Sequence, residues 1–285
     1  MSEAPPAPFI AEGTSFAPHS LAQAARAVLE CPDADEKARL AHEAAKCWRR
    51  GALTLAPGEM PDRPNRPAKP ELLSPNQMPR RTFKGPRGRF ALLHALAHIE
   101  LNAIDLAFDI AGRFTGRTVG ETQLPRAFFD DWIAVGDDEA RHFAAIQARL
   151  RAMGGCYGDL PAHDGLWQAA EETRHDALAR LAVVPLVLEA RGLDVTPPMI
   201  ERLMGAGDHD SADILRMIYR EEQQHVAAGA RWFNYLCDAG NLDPQTTFQT
   251  LVRKHFRGLL KPPFNTDARD AAGLERSFYE PLASR

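Results

Sequence analysis

Two Glu-x-x-His pairs, Glu139-x-x-His142 and Glu222-x-x-His225, lie near the middle of two long runs whose apolar residues recur at the helical period. At about 100° per residue, positions i and i+3 share a helix face, so each pair projects a carboxylate and an imidazole together from a rigid support. Two such helices, each partnered by a helix carrying a single inward glutamate, make a di-metal carboxylate site in the core of a four-helix bundle. Random placement of 18 glutamates and 10 histidines along this chain gives about 0.6 such pairs, whereas three occur. The third, Glu172-x-x-His175, is a rival to be weighed.

The periodicity predicts one bundle helix over 89–113, with Glu100 midway among Leu96, Ile99, Ala103 and Ile104. A turn over 114–124 leads to a second helix from Pro125 to about Met153, which carries Glu139 and His142. A link of about ten residues follows, short for a full-length crossover. A third helix over 166–191 contains Pro185, which kinks it, and is expected to stop at Gly192. Residues 197–204 read as a short helix opened by Pro197 and Pro198. The fourth helix, capped by Asp208 or Asp210, runs to Asp238 with Glu222 and His225 at its centre.

Antiparallel neighbours bring together residues equidistant from their turn. Glu100 and Glu139 have their midpoint between 119 and 120, and Glu189 and Glu222 between 205 and 206, both inside turns. The favoured set is therefore Glu100, Glu139, His142, Glu189, Glu222 and His225. Glu172 competes with Glu189, because its midpoint with Glu222 falls at Pro197; His175 would accompany it. Glu189 has one point against it, its closeness to the expected helix end. Glu221 points about 100° from Glu222 and reads as a supporting or solvated acid; Asp137 and Asp138 read as solvated acids or partners of nearby cations. His94, His98, Asn102, Asp105 and Asp109 form a polar stripe on another face of the first bundle helix, with a structural or supporting role, His98 included.

The flanks read as helices over 19–30 and 34–51 and a proline-rich connector to 86, which with residues 1–18 form an N-terminal unit (1–86) packed on the bundle (87–240). A short helix over 244–257 and an irregular tail complete the chain (241–285). Arg80, Arg81, Lys84 and Arg87 in the connector, like the cations from Arg253 to Lys261, are either solvated or contact an anion. A net charge of −4 gives no overall pull toward nucleic acid, and the four cysteines form no C-x-x-C pair. The strongest apolar run, 181–188, is too short to span a bilayer. No leader pattern opens the chain, so the cytoplasm is the expected location.

Glu139-x-x-His142 and Glu222-x-x-His225, taken with His94-Ala-Leu-Ala-His98-Ile-Glu100 and Leu188-Glu-Ala-Arg-Gly-Leu-Asp194, resemble the bacterial ferritin-like family known as domain of unknown function 455. In outline they are also similar to the bacterial tRNA hydroxylases that act on a methylthio-isopentenyl adenosine. The resemblance covers about 88–273. It implies an all-α, ferritin-like four-helix bundle with extra N-terminal helices, and two iron ions on the six residues above, with manganese as the alternative. Expected partners are O₂ or peroxide and a small-molecule or tRNA substrate, for a chain that is a monomer or dimer. The reaction class this favours is an oxidoreductase, hydroxylase-like; a ferroxidase and a metal-stabilised RNA- or partner-binding protein are the alternatives.

Overall fold

The computed structural model describes residues 17–73, Gln77, Phe83, 85–163 and 165–283. Among them, regular structure is helical apart from one small hairpin and three isolated bridges. Helices α1 (Leu21–Glu30) and α2 (Ala34–Arg49) begin on Ser20 and Asp33, whose side chains accept the free amides of Gln23 and Glu36. The first bundle rod is α3 (Gly85–Phe114). The hairpin β1 (Thr118–Val119) and β2 (Thr122–Gln123) turns the chain into α4 (Arg126–Ala152), which packs along α3. α1 covers α3 and α2 covers α4.

By length and composition α3 could cross a membrane, a property that weighing only 181–188 overlooks; 78% of its apolar window is buried inside the fold. Its polar stripe explains what the N-terminal helices do. Asp105, fully buried, takes Lys37 Nζ of α2 at 2.5 Å and Arg66 of the connector at 2.6 Å. Lys37 also donates to the carbonyls of Val28 and Leu29 at the end of α1, where a helix leaves carbonyls free. Arg66 reaches Asn102 as well. Lys37 and Arg66, from residues 17–73, thus neutralise a buried acid on a face of α3 that hydrocarbon could not cover.

The third rod departs from the expected single helix. α5 (Gly165–Thr173) is separate, and residues 174–176 break the chain before α6 (Ala177–Val183), a π-helical turn (Val184–Glu189) and α7 (Ala190–Gly205). The break has a cause. The fully buried Arg180 reaches back to the Ala170 carbonyl and the Thr173 hydroxyl, so the carbonyl that a continued helix would use is satisfied by a side chain instead. The crossover from α4 therefore spans 153–176 and includes α5, which resolves the shortness of a ten-residue link.

Gly192 does not stop the rod, and 197–204 is not a separate helix. Pro197 lacks the amide that would bond to Leu193 four residues back. That carbonyl instead accepts the side-chain amide of Asn265, so the helix survives its prolines. Glu189 consequently sits in mid-rod, not near an end. α8 (His209–Ala239), capped by Asp208, then packs on α7, the π turn and α4. α9 (Pro244–His255) follows, and residues 256–264 run back over the bundle to α10 (Thr266–Ala271) and α11 (Arg276–Tyr279).

α8 meets the π turn at Gly229, where an added Cβ would lie 2.5 Å from Pro185 Cβ. A proline ring cannot swing aside, so Gly229→Ala is expected to lower stability by about 1–3 kcal/mol through overpacking. Urea unfolding measures this; an unchanged midpoint would show that the two rods part easily here.

Candidate metal centre

Glu100 of α3, Glu139 and His142 of α4, Glu189 at the end of the π turn, and Glu222 and His225 of α8 converge in the bundle interior. Ligand-type atoms of Glu100, Glu139, His142 and Glu222 all lie within 4.8 Å of one another. His225 Nδ1 is 3.0 Å from Glu139 Oε1 and 3.7 Å from Glu222 Oε2. His142 Nδ1 is 3.3 Å from Glu100 Oε2 and 3.4 Å from Glu139 Oε2. Glu139 thus stands between the two imidazoles, one oxygen toward each. Glu189 belongs to the same field, since the charges of Glu222, His225 and Glu139 all act on it.

These contacts are meetings of charge without hydrogen-bond geometry. Among the described residues, Glu100 Oε2, both Glu139 oxygens, His142 Nδ1, Glu189 Oε2, Glu222 Oε2 and His225 Nδ1 are buried with no hydrogen-bond partner. Each such atom costs about 1–3 kcal/mol when nothing replaces its lost water. Folded proteins carry only a few per hundred residues, and of the fourteen such atoms among the described residues seven belong to these six side chains. All six residues contribute at least one, and those of Glu100, Glu139, His142 and Glu222 lie close enough together to hold a metal ion. Four carboxylates balance two divalent ions, and a mixture of oxygen and imidazole donors suits iron or manganese.

The protonation pattern reports the same field. Burial, then the Glu139 carboxylate, push Glu100 well above the ordinary carboxylate range. Burial, then Glu222, raise Glu189 to about 8. At Glu139 burial also acts upward but is outweighed by His142 and His225, which hold it below the usual range. For His142 burial opposes the proton, yet Glu100 and Glu139 push it up to about 11. His225 is likewise raised, burial being overcome by Asp138, Glu139 and Glu222. Positive charge is held wherever the carboxylates crowd, and a metal ion entering there displaces protons.

The far nitrogen of each histidine is held across the helix pair. His142 Nε2 meets Glu221 of α8 at 2.6 Å, and His225 Nε2 meets Asp138 of α4 at 3.3 Å. An Nε2–H donated to a carboxylate leaves the Nδ1 lone pair facing the cluster. Arg141 ties both acids together, donating to Asp138 at 2.6 Å and to Glu221 at 3.0 Å. The structure therefore gives Glu221 a supporting place, puts Asp138 against His225 as well as against the cation Arg141, and adds Arg141, which the sequence does not single out. The signal is present: an acid immediately precedes the glutamate in both pairs, Asp138-Glu139 and Glu221-Glu222. Replacing Arg141 with Met is expected to weaken metal binding about 10–100-fold while leaving the ligands in place, the usual cost of losing an outer partner. Competitive chelator titration measures it, and wild-type affinity would dismiss the clamp.

The rival pair lies elsewhere. Glu172 is exposed and bonded to Arg257, and His175 is exposed beside Arg174. His98 sits on the other face of α3, between the Tyr157 hydroxyl and the His163 carbonyl, both at 2.8 Å; burial lowers it to about 4, so the ring is neutral. Of the connector cations, Arg87 is exposed, and Arg80, Arg81 and Lys84 lie outside the described residues.

A cavity of about 370 Å³ opens from the surface and ends on Glu100, Glu139, Glu189 and Glu222. The two histidines are not in its wall, so it approaches the cluster from the carboxylate side. Residues 256–264, which the sequence reads as a helix end, irregular tail and part of a basic stretch, contribute Phe256, Leu259, Leu260, Lys261 and Phe264 to it.

A family model described as protein of unknown function (DUF455) matches residues 30–280, a wider span than 88–273, taking in α2 and the connector with Lys37 and Arg66. A Haemophilus influenzae protein that bears the name "Uncharacterized protein" is 42% identical over 208 residues, 73% of this chain and 72% of the relative. No solved structure matches the chain. A match over most of its length, on a helical bundle with this carboxylate and histidine cluster, makes the chain a member of the DUF455 family of proteins of unknown function.

Proposed function

We propose that this protein is a di-metal oxidoreductase of the hydroxylase kind, with iron as the resident metal and manganese as the alternative, acting on a substrate held in the adjacent cavity. The observation that carries the reading is the convergence of buried, unbonded donor atoms from all six residues on one region that a cavity reaches. When bound, the metal pair supplies the redox chemistry: a substrate C–H becomes C–OH, the second oxygen of O₂ leaves as water, and an external one-electron carrier provides two electrons with two protons.

The chain's own residues do the rest. Glu139 is placed to join the two halves of the site. Glu221 and Asp138 fix the imidazole rings so that Nδ1 faces inward. With a substrate filling the cavity, the apolar wall around the four glutamates keeps bulk water from the reacting atoms.

Protein loaded anaerobically with ferrous iron is expected to hold about two ions per chain and to change its near-ultraviolet and visible spectrum on exposure to O₂. Failure to retain iron, or a spectrum indifferent to O₂, would overturn the reading. A cage-sized particle on gel filtration would point to iron storage instead.

A further inference from the structure

The cavity has a nearly uniform wall. Leu96 and Ala103 of α3, Val187 of the π turn, Met199 of α7, Ile218 of α8 and Phe264 of the C-terminal segment present hydrocarbon from every side. Several polar side chains above the glutamates are engaged already. Asp194 is held by Arg269 at 2.7 and 2.8 Å and by the Asn265 amide, and His98 is bonded at both nitrogens. Charge is ordered along the length, with four glutamates at the floor. Lys261 is exposed at the rim, with no ion-pair partner among the described residues, beside two exposed apolar side chains, Ile99 and Leu259.

We propose that this cavity takes an aliphatic chain bearing one anionic head group, which enters tail-first toward the glutamates and leaves its head at Lys261. This rests on the oxidoreductase reading, because it names the substrate class of that same site. The volume is in the range of small-molecule sites, about 300–1,000 Å³. A chain without hydrogen-bonding groups matches the wall, whereas a nucleoside would set ring nitrogens and hydroxyls against hydrocarbon. Each group so stranded weakens binding about 5- to 150-fold. The segment that carries Lys261 is fastened: Arg191 donates to the Lys261 carbonyl at 2.7 Å, and Asn265 donates to the Tyr219 hydroxyl at 3.0 Å. The rim is therefore a fixed part of the site.

The test is calorimetric titration of the full-length protein with hexanoate, octanoate, decanoate, decanol and adenosine, with and without chelator. Affinity is expected to rise about fourfold per methylene, decanol to bind several-fold more weakly than decanoate, and adenosine not to bind. Chelation is expected to leave decanoate binding in place, since Lys261 is not one of the cluster residues. Lys261→Glu should erase the preference for decanoate over decanol, and Ala103→Phe, which fills the inner wall, should abolish binding of both. If Ala103→Phe does not fold, the length series and Lys261→Glu decide alone. Affinity independent of chain length, adenosine binding as tight as decanoate, or decanoate binding lost on chelation would overturn the proposal. Metal analysis separates the two ideas. Decanoate binding without iron uptake leaves the cavity assignment standing and removes the oxidoreductase; iron uptake without decanoate binding does the reverse.

Discussion

Replacing Glu139 with Gln is expected to abolish stoichiometric metal binding and, with it, all metal-dependent activity and stabilisation. Glu139 is the one carboxylate whose two oxygens face the two imidazoles, at 3.4 and 3.0 Å. It is wholly buried, and both oxygens lack a hydrogen-bond partner. Glutamine keeps the volume and removes the charge, so a lost response to metal is one of ligation and not of packing. An amide offers one weak oxygen donor where the carboxylate offers two anionic ones, and the remaining three carboxylates no longer balance two divalent ions. A ligand that binds only the folded state raises stability by about 2.7 kcal/mol at a hundred times its dissociation constant. Wild-type protein should therefore melt at a higher temperature with ferrous or manganous ion present, and Glu139→Gln should melt at the same temperature with or without it. Two tightly bound ions in the variant would remove Glu139, and with it the whole donor set, from the site.

The contrast between Glu139 and Glu189 shows how far sequence carries such a site. The Glu-x-x-His spacing is a property of one helix, so Glu139, His142, Glu222 and His225 are legible once two long helices are. Glu100 follows from the symmetry of a hairpin about its turn. Glu189 is harder, because its position depends on where the third rod ends. Gly192 and the Pro197-Pro198 pair are local stop signals. The structure overrides them by tertiary contact, with Asn265, some seventy residues away, supplying the hydrogen bond that Pro197 cannot. Likewise no periodicity announces the break at 174–176, since its cause is a buried arginine that turns back on α5. Asp138 and Arg141 were within reach, but only by laying one pair over the other. The apolar cavity was not, because residues 256–264 have no repeating pattern and acquire their role by lying across helices formed far earlier in the chain.

Cutting the buried ion pair between Arg180 and Asp109 is expected to cost more stability than changing any residue of the metal centre. Both side chains are fully buried, and the guanidinium contacts Asp109 directly while Arg113 holds the same carboxylate at 2.7 Å. Asp109→Ala would leave Arg180 charged in the interior with only the Ala170 carbonyl and the Thr173 hydroxyl as partners. Breaking such a pair from one side costs about 3–5 kcal/mol, whereas replacing both members with apolar residues of similar size is often neutral. Asp109→Leu with Arg180→Met should therefore recover most of what Asp109→Ala loses in urea unfolding. The recovery should be incomplete, because Arg180 also closes the end of α5 and so sets where the third rod begins. Loosening that start lets the rod shift along its neighbours and carries Glu189 with it. The double variant is then expected to fold cooperatively yet bind metal less tightly, although neither residue touches the cluster. A loss below about 1 kcal/mol for Asp109→Ala would contradict the buried-pair cost, and unchanged metal affinity in the double variant would show that the register of the third rod is held from its other end.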